Sequence, residues 1–455
     1  MKNSKNLKVI ILAGGQGSRM KSKIPKVLHK VLDKTMIDYV IDASKKVKAS
    51  EIITIVGHQS AMVKSIIGAE VKYAYQKEQL GTGHAVIQAL EYIGDDEDIL
   101  VLCGDTPLVQ VETLEELIEI HRREQNYATV ISSKIDNPTG YGRIIREKGI
   151  FNKIVEQKDA TEKEAEVNEI NTGVYIFDSS ALKQALNNLS NNNSQNEYYL
   201  TDTLELIKNT GNKIGIMVSK DSDEFFGVNS KSQLAVVSCI MKKRINEYHM
   251  NNGITIEDPN NTYIGSDVKI GEDTVVLPNT IIEGHTTIGS DCIIGPNARI
   301  TSAEIKDCVE INQSTVLSSF INNYTSVGPY AYIRPNCKIG EHVKIGDFVE
   351  VKNSNIDDNT KLSHLTYVGD SDVGKNINFG CGTVTVNYDG KNKHRTVIGD
   401  NSFIGCNTNL IAPVELGKNS TTGAGSTIVK DVPDNALAIS RVKDQINKLN
   451  YKSDK

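Results

Sequence analysis

"YIGSDVKIGEDTVVLPNTIIEGHTTIGSDCIIGPNARI", Tyr263 to Ile300, decides the fold of half the chain. An aliphatic residue recurs at every sixth position, at Ile264, Ile270, Val276, Ile282, Ile288, Ile294 and Ile300. Neither the helical period of 3.6 nor the strand period of 2 gives such a spacing. The period returns in shifted phase at Val327, Ile333, Ile339, Ile345 and Val351, and again at Ile398, Ile404, Leu410 and Leu416. It predicts a parallel β-helix built of six-residue edges, with one aliphatic residue of each edge inside. The glycine that often follows the aliphatic residue is expected to permit the corner. Each coil buries its face only against its neighbours, so the stack is quasi-one-dimensional. One segment, "GTVTVNYDGKNKHRT" from Gly382 to Thr396, is too long for a corner and is expected to be thrown out as a functional loop.

Before residue 230 the grammar differs. "KVIIL", "IITIV", "VKYAY", "DILVL", "ATVIS" and "GVYIF" read as strands. Amphipathic stretches such as "TMIDYVIDASKKV" and "TGHAVIQALEYI" stand between them. This alternation predicts an α/β, Rossmann-like domain over 1–230 with a mainly parallel sheet and ligands at the strand carboxyl ends. Residues 231–252 read as one linker helix ending near Gly253, and 253–455 as the β-helix domain with a C-terminal tail.

The chain has 455 residues and a net charge of −6, which argues against a dedicated nucleic-acid binder. No apolar run is long enough to span a bilayer, so no membrane insertion is expected. The basic start "MKNSKNLKVIILAGG" reads as a first strand rather than a signal peptide. Seven cysteines without a C-x-x-C pair fit reduced thiols in a cytoplasm.

"LAGGQGSRMKSKIPK", Leu12 to Lys26, follows the first strand. It is no dinucleotide fingerprint, since Met20 stands where a third glycine is needed, and no P-loop. Backbone N–H groups freed by glycine, with Arg19 and Lys26 nearby, suit phosphate oxygens. A tight strand-to-helix turn with solvated bases is the plainer alternative from these residues alone.

The longer spacing resembles the L-x-x-G-x-G-[ST]-R-M-x(5)-PK signature of sugar-phosphate nucleotidyltransferases. The resemblance continues through "QKEQLGTGHA", "LCGDTPL", "GYGRI", "IVEQKDA", "INTGVY" and "GVNS". With the hexapeptide half it extends to the bifunctional bacterial uridyltransferase–acetyltransferase family. That resemblance implies a left-handed β-helix, assembly as a homotrimer, and a cytoplasmic enzyme that acetylates glucosamine-1-phosphate with acetyl-CoA. It then implies uridylyl transfer from UTP to N-acetylglucosamine-1-phosphate with Mg²⁺.

By the same resemblance Leu12, Ala13, Gly14 and Gly15 would wrap the triphosphate. Arg19 would hold it, and Lys26 would stabilise charge at the transferring phosphate. Gln76, Gly81 and Thr82 would read uracil. Gly142, Glu156 and Asn171 would form the sugar pocket, and Asp105 and Asn229 would bind Mg²⁺. In the second half His364 would be the general base, as suits an imidazole titrating near neutrality. Arg334 and Lys352 would clamp the glucosamine phosphate, and Tyr367 and Asn378 the sugar. Cys381, Asn387, Tyr388, Cys406, Ala424 and Arg441 would contact acetyl-CoA. The sequence departs from the family's commoner residues at Gly14, Cys103, Cys381 and Cys406. The last two are expected either to pack or to sensitise the acetyl site to thiol reagents. Two other readings stay open: a monofunctional nucleotidyltransferase whose β-helix only assembles subunits, and a non-catalytic regulatory subunit.

Overall fold

The computed structural model describes residues 5–442, 445–447 and 449. The extreme N-terminus and the rest of the expected C-terminal tail lie outside the described residues. Contacts divide the chain into two units, Met1–Met241 and Lys242–Lys455.

The first unit runs β1 (Asn6–Leu12), β2 (Lys30–Val31), β3 (Lys34–Thr35), α1 (Met36–Lys46), β4 (Glu51–Val56), α2 (Ser60–Ile67), β5 (Lys72–Tyr75), α3 (Thr82–Ile87) and β6 (Glu97–Cys103). It continues with α4 (Val111–Arg123), β7 (Ala128–Lys134), β8 (Arg143–Glu147), β9 (Ile150–Val155), α5 (Glu162–Ala165), β10 (Glu169–Asp178), α6 (Ser179–Asn187), α7 (Asp202–Asn209) and β11 (Ile214–Val218). The sheet order is β11-β7-β10-β6-β1-β4-β5. β6, β1, β4 and β5 run parallel, as the alternation predicts. β10 is inserted antiparallel to both β6 and β7, and β8 and β9 form an antiparallel hairpin, so the sheet is mixed. The stretch "TGHAVIQALEYI" is helical only to Ile87 and resumes as a short 3₁₀ turn at Leu90–Tyr92. Apolar clusters fill both faces of the sheet, one around Val9, Leu100 and Ile176, the other around Ile10, Val101 and Phe177. Helix α8 (Lys231–Asn251) follows, and the division between units falls within it.

The second unit is the left-handed β-helix. Its strands form three stacked, wholly parallel sheets of 11, 10 and 9 strands, each strand pairing with the third one along. Of the sixteen periodic aliphatics named from the sequence, all but Ile270 are buried, and Ile270 packs against the same core. The stack also continues where the six-residue period lapses. Ile305, Ile311, Val316 and Ile321, each buried, carry the core on through a mixture of five- and six-residue steps.

The corner is made differently from the expectation. The glycine after the aliphatic residue does not take the left-handed conformation at Gly289, Gly340 or Gly399; none has a positive φ. That conformation falls three residues before the aliphatic, as at Asn279 (φ 60°), Asn297 (φ 55°) and Asn336 (φ 66°). Asn and Asp tolerate it better than most residues. The glycine answers to a different demand. A Cβ on Gly340 would stand 2.8 Å from the Asp358 backbone nitrogen of the next coil, and one on Gly399 2.7 Å from that of Lys418. Two residues before each aliphatic sits a small buried side chain. At Thr274, Thr325 and Thr360 the hydroxyl donates to the next coil, as Thr325 Oγ1 does to Gly340 O at 2.8 Å, whereas Thr280, Thr286 and Thr408 donate within their own coil. Cys292 and Cys337 occupy the same position and pack there.

Ile293 and Ile294 are adjacent, but Ile293 is 46% exposed and Ile294 fully buried. Ile294→Ala is expected to lower the unfolding free energy of the β-helix by about 2–5 kcal/mol, and Ile293→Ala by less than about 0.5 kcal/mol. Urea denaturation of the two variants checks this.

Candidate functional site

Two clusters of polar side chains form, one in each unit. In the first, β1 and β6 lie side by side with Leu12 opposite Cys103, and both chains leave the sheet there. The glycine loop follows β1, with Ala13 N held to Ile55 O at 3.0 Å. Gly17 has φ 63°, and a Cβ on it would stand 2.7 Å from that of Lys26. Lysine at 26 therefore folds tightly back on the loop. Its ammonium pairs with Asp105 Oδ2, just after β6, and donates to Asn229 Oδ1 at 3.1 Å. Arg19 donates to the same Asn229 oxygen at 2.8 Å. Val228 N, donating to Asp105 O at 3.1 Å, ties the two oxygen donors together. Arg19, Lys26, Asp105 and Asn229, far apart in sequence, thus converge on one spot. A carboxylate and an amide oxygen aimed at one cation position fit Mg²⁺, which prefers oxygen and keeps waters or phosphate oxygens as its other ligands.

Gln76, buried beside the loop, lies close to Gly14: a Cβ there would stand 2.9 Å from Gln76 Oε1. Its Nε2 donates to Gly81 O at 3.0 Å. Thr82 Oγ1 accepts from Leu200 N at 3.0 Å, which anchors the start of α3. Ala13 and Gly15 lie on the loop between these groups, and no atom would stand within 4 Å of a Cβ on Gly15.

Gly142, Glu156 and Asn171 also come together. Asn171 N donates to Gly142 O at 2.9 Å, and Glu156 Oε2 would lie 3.4 Å from a Cβ on Gly142. Thr201 Oγ1 donates to Glu156 at 3.3 Å; the sequence reading did not single out this threonine. Burial raises the Glu156 carboxyl, with Asp202 and Asp159 adding repulsion. Burial also raises Asp202, to about 6, helped by Glu205 and Asp159. Cys103, half-buried, turns its thiol, raised by desolvation to about 12, to Gly173 O at 3.7 Å. It is a packing group rather than a nucleophile.

In the β-helix, register builds the second cluster. Strand Lys344–Asp347 sits on Lys361–His364 with Asp347 opposite His364. Asp347 Oδ1 lies 2.6 Å from His364 Nδ1. The imidazole hydrogen bond holds Asp347 below the usual carboxylate range. The sequence reading missed Asp347, which shows itself only as a stacked neighbour. With Nδ1–H donated to a carboxylate, Nε2 keeps its lone pair and faces outward on a half-exposed ring. On the coils around this pair, Arg334 donates to Glu350 at 2.9 Å, and Lys352 lies 3.7 Å from Asp370. Lys393, also missed, is lowered by the Lys352 ammonium beside it. Burial pushes Asp370 up, but hydrogen bonds from Asn353 and Asn387 and the Lys352 charge outweigh it and leave it low. Asn387 is buried and lies 3.4 Å from Tyr367 Oη. Asn378 faces Lys361 one coil on.

The extruded segment is shorter than expected, because Val384–Val386 belongs to the stack. The part thrown out, residues 387–395, is stitched to itself. Asp389 accepts from Lys391 N at 2.8 Å and from His394 at 2.8 Å, and Tyr388 bridges to Lys393. Cys381, Cys406 and Ala424 stand at one corner in successive coils, with Asn407 N on Cys381 O and Gly425 N on Cys406 O, both at 2.7 Å. Arg441 reaches back to Ala424 O at 2.6 Å. These positions continue the column that holds Asp347 and His364.

The nucleotidyl transferase family model matches residues 8–224, and the bacterial transferase hexapeptide model (six repeats) matches 261–302, 318–353 and 395–430. The bifunctional protein GlmU of Clostridioides difficile strain 630 is 52% identical over 455 residues, covering 99% of each chain. That of Thermoanaerobacter pseudethanolicus is 54% identical over 443 residues, covering 97% of this chain and 96% of its own length.

A carboxyl raised on folding binds its proton more tightly in the native state, so Asp202 costs stability as pH rises from its ordinary value near 3.8 through about 6. Asp202→Asn is therefore expected to gain stability over the parent at pH 7.5 and to lose most of that gain by pH 4.5. Urea midpoints at the two pH values test the sign.

Proposed function

The chain belongs to the family of bifunctional GlmU proteins, a nucleotidyltransferase joined to a hexapeptide acetyltransferase, and from that premise we propose its substrates and the part each residue takes. The β-helix transfers acetyl from acetyl-CoA to the amine of glucosamine-1-phosphate. The N-terminal domain transfers a uridylyl group from UTP to the N-acetylglucosamine-1-phosphate so formed. The products are UDP-N-acetylglucosamine and pyrophosphate.

The Asp347–His364 pair carries the two-activity reading. A β-helix used only for assembly has no need of an imidazole oriented by a carboxylate, nor of two lysines held together as Lys352 and Lys393 are. His364 Nε2 takes a proton from the substrate amine as nitrogen attacks the thioester carbonyl, and as the C–S bond breaks the imidazolium returns that proton to sulfur, so that CoA leaves as the thiol. Asp347 holds the ring in the tautomer this requires. Lys352, Lys393 and Arg334 bind the sugar phosphate as a dianion. Tyr367 and Asn378 bind the sugar. Cys381, Cys406, Ala424 and Arg441 bind acetyl-CoA along the column, with Asn387 and Tyr388 enclosing its acetyl end.

Uridylyl transfer needs no general base, because the attacking sugar phosphate is already ionised. Its barrier is charge repulsion and alignment at the α-phosphorus. Leu12, Ala13, Gly14 and Gly15 hold the triphosphate by backbone, Arg19 grips it, and Lys26 neutralises charge at the transferring phosphate. Asp105 and Asn229 hold Mg²⁺, which when bound screens the phosphate oxygens from one another. Gln76, Gly81 and Thr82 read the uracil. Gly142, Glu156 and Asn171 receive the sugar, Glu156 accepting from its hydroxyls.

Tyr330, Phe348 and Leu365, all more than half exposed, follow one another in successive coils beside His364, and the first two are stacked at 5.4 Å. Such an apolar strip supports assembly, which we take to be a homotrimer. Among the described residues no helix is long and apolar enough to cross a membrane. With substrates drawn from metabolism, a cytoplasmic enzyme is the reading we adopt.

Purified protein given glucosamine-1-phosphate, acetyl-CoA, UTP and Mg²⁺ is expected to release free CoA and pyrophosphate, each followed separately. Asp105→Ala is expected to abolish pyrophosphate release and leave CoA release near normal. Equal loss of both in a folded protein would contradict the division of labour.

His364→Ala is expected to lower acetyl transfer by about 10²–10⁴-fold while uridylyl transfer from supplied N-acetylglucosamine-1-phosphate persists. Near-normal acetylation would remove His364 as the base.

A further inference from the structure

Cys381 and Cys406 differ from the packed thiols of the chain. Cys103, Cys292 and Cys337 each turn their sulfur to a backbone carbonyl, at Gly173, Lys306 and Val351. Cys406 is exposed and Cys381 half-buried, so they do not pack in that way. The two lie in register on successive coils. Asn378 pairs with Phe403 and Phe379 with Ile404, which sets Cys381 opposite Cys406. Backbone bonds pin them from both sides: Gly380 N donates to Ile404 O and Asn407 N to Cys381 O, each at 2.7 Å. A Cβ on Gly380 would stand 2.8 Å from Cys406 Cα, so the two coils approach fully here. Stacked strands lie about 4.8 Å apart, within the span of about 4.4–6.8 Å found between the Cα atoms of a disulfide. Side chains of this column do meet across coils, since Asp347 Oδ1 lies 2.6 Å from His364 Nδ1. Rotation about the two Cα–Cβ bonds turns sulfur toward sulfur.

We propose that Cys381 and Cys406 are a modification site for low-molecular-weight disulfides, at which the outer thiol takes the reagent and the inner one resolves it. Cys406, the more exposed, gives its proton to solvent, and its sulfur attacks one sulfur of the reagent. The reagent's S–S bond breaks. One half leaves as a thiolate that takes up a proton, and the other half stays on Cys406. The Cys381 sulfur, likewise deprotonated, attacks the Cys406 sulfur and expels the second half as a thiol. The cysteines are oxidised to a Cys381–Cys406 disulfide, and the reagent is reduced to two thiols. The bridge spans two positions of the acetyl-CoA column and closes it to the cofactor. That consequence rests on the acetyl-transfer reading; the exchange itself does not.

The test uses the full chain carrying Cys239→Ser, which removes the other exposed thiol. One equivalent of dithiobis(nitrobenzoate) per chain is added, and the coloured thiolate it liberates is followed. The Cys381→Ala/Cys406→Ala variant gives the background of the remaining thiols. Alanine is accommodated in this column, as Ala424 shows one coil on. With both cysteines present, about two equivalents of thiolate are expected. Trypsin, which cuts between them at Lys391, Lys393 and Arg395, is expected to yield two peptides joined through Cys381 and Cys406 with no nitrobenzoate retained. Cys381→Ala is expected to stop at about one equivalent and to keep the adduct on Cys406. Acetyl transfer by the treated protein is expected to be lost and to return with dithiothreitol, while uridylyl transfer persists. Each variant is compared with its own untreated rate. An adduct retained on Cys406 with Cys381 present, release of only about one equivalent there, or full acetyl transfer by the bridged protein would overturn the proposal. Absence of acetyl transfer before treatment would instead overturn the acetyl-transfer reading, and the thiol count would still decide the exchange.

Discussion

Stacking of one backbone coil directly on the next is the constraint from which the acetyl-transfer half follows. Parallel strands about 4.8 Å apart leave no room for a side chain where the backbone turns inward, hence the glycine after the buried aliphatic. They also require a left-handed residue at each turn, hence the run of Asn and Asp three residues earlier. Once these two conditions hold, every coil repeats the last, and equivalent positions form straight columns. Asp347, His364, Cys381, Cys406 and Ala424 are one such column. An imidazole is thereby aligned with a carboxylate on one side and with the Cys381, Cys406 and Ala424 positions on the other, with no special loop needed to align them.

The nucleotidyltransferase half solves a different problem by a different means. Its reacting groups are all anions, and what they need is fixed positive charge and bare backbone. Sheet topology supplies the place: β1 and β6 are neighbours, so the glycine loop after one and Asp105 after the other open at the same point. Lys26 is drawn there by the close approach of Gly17 to its own Cβ. Its ammonium contacts Asp105 Oδ2 and Asn229 Oδ1, the same two oxygens that suit a divalent ion.

Much of this was legible in the sequence, for reasons that differ by element. The six-residue period was readable because one buried residue per edge leaves a regular trace. It faded between Ile300 and Val327, where five-residue edges keep the same core but break the count. The strands of the first unit were readable as apolar runs, whereas the reversed direction of β10 was not. Strand direction depends on partners and connections, to which local composition is blind. Arg19, Lys26 and Asp105, which the fold brings together, and His364, which it pairs with a carboxylate, were singled out in the sequence through a family resemblance. Asp347, Lys393 and Thr201 were missed. Each acts through a neighbour that is distant in sequence, and nothing in its own surroundings marks it.

Two carboxylates near Thr201 show how burial can be held at a cost. Asp202 and Glu156 are both raised by burial, so ionising either runs against its surroundings. Paired cations would relieve them, yet Thr201, a neutral hydroxyl, is the partner given to Glu156. A carboxylate neutralised by lysine has little left to offer a sugar hydroxyl. On the proposed assignment, one that is desolvated and under-partnered would accept strongly from it and would repel phosphate. The sign of the local charge would then sort the two ends of a sugar phosphate, hydroxyls toward the carboxylates and phosphate toward Arg19 and Lys26.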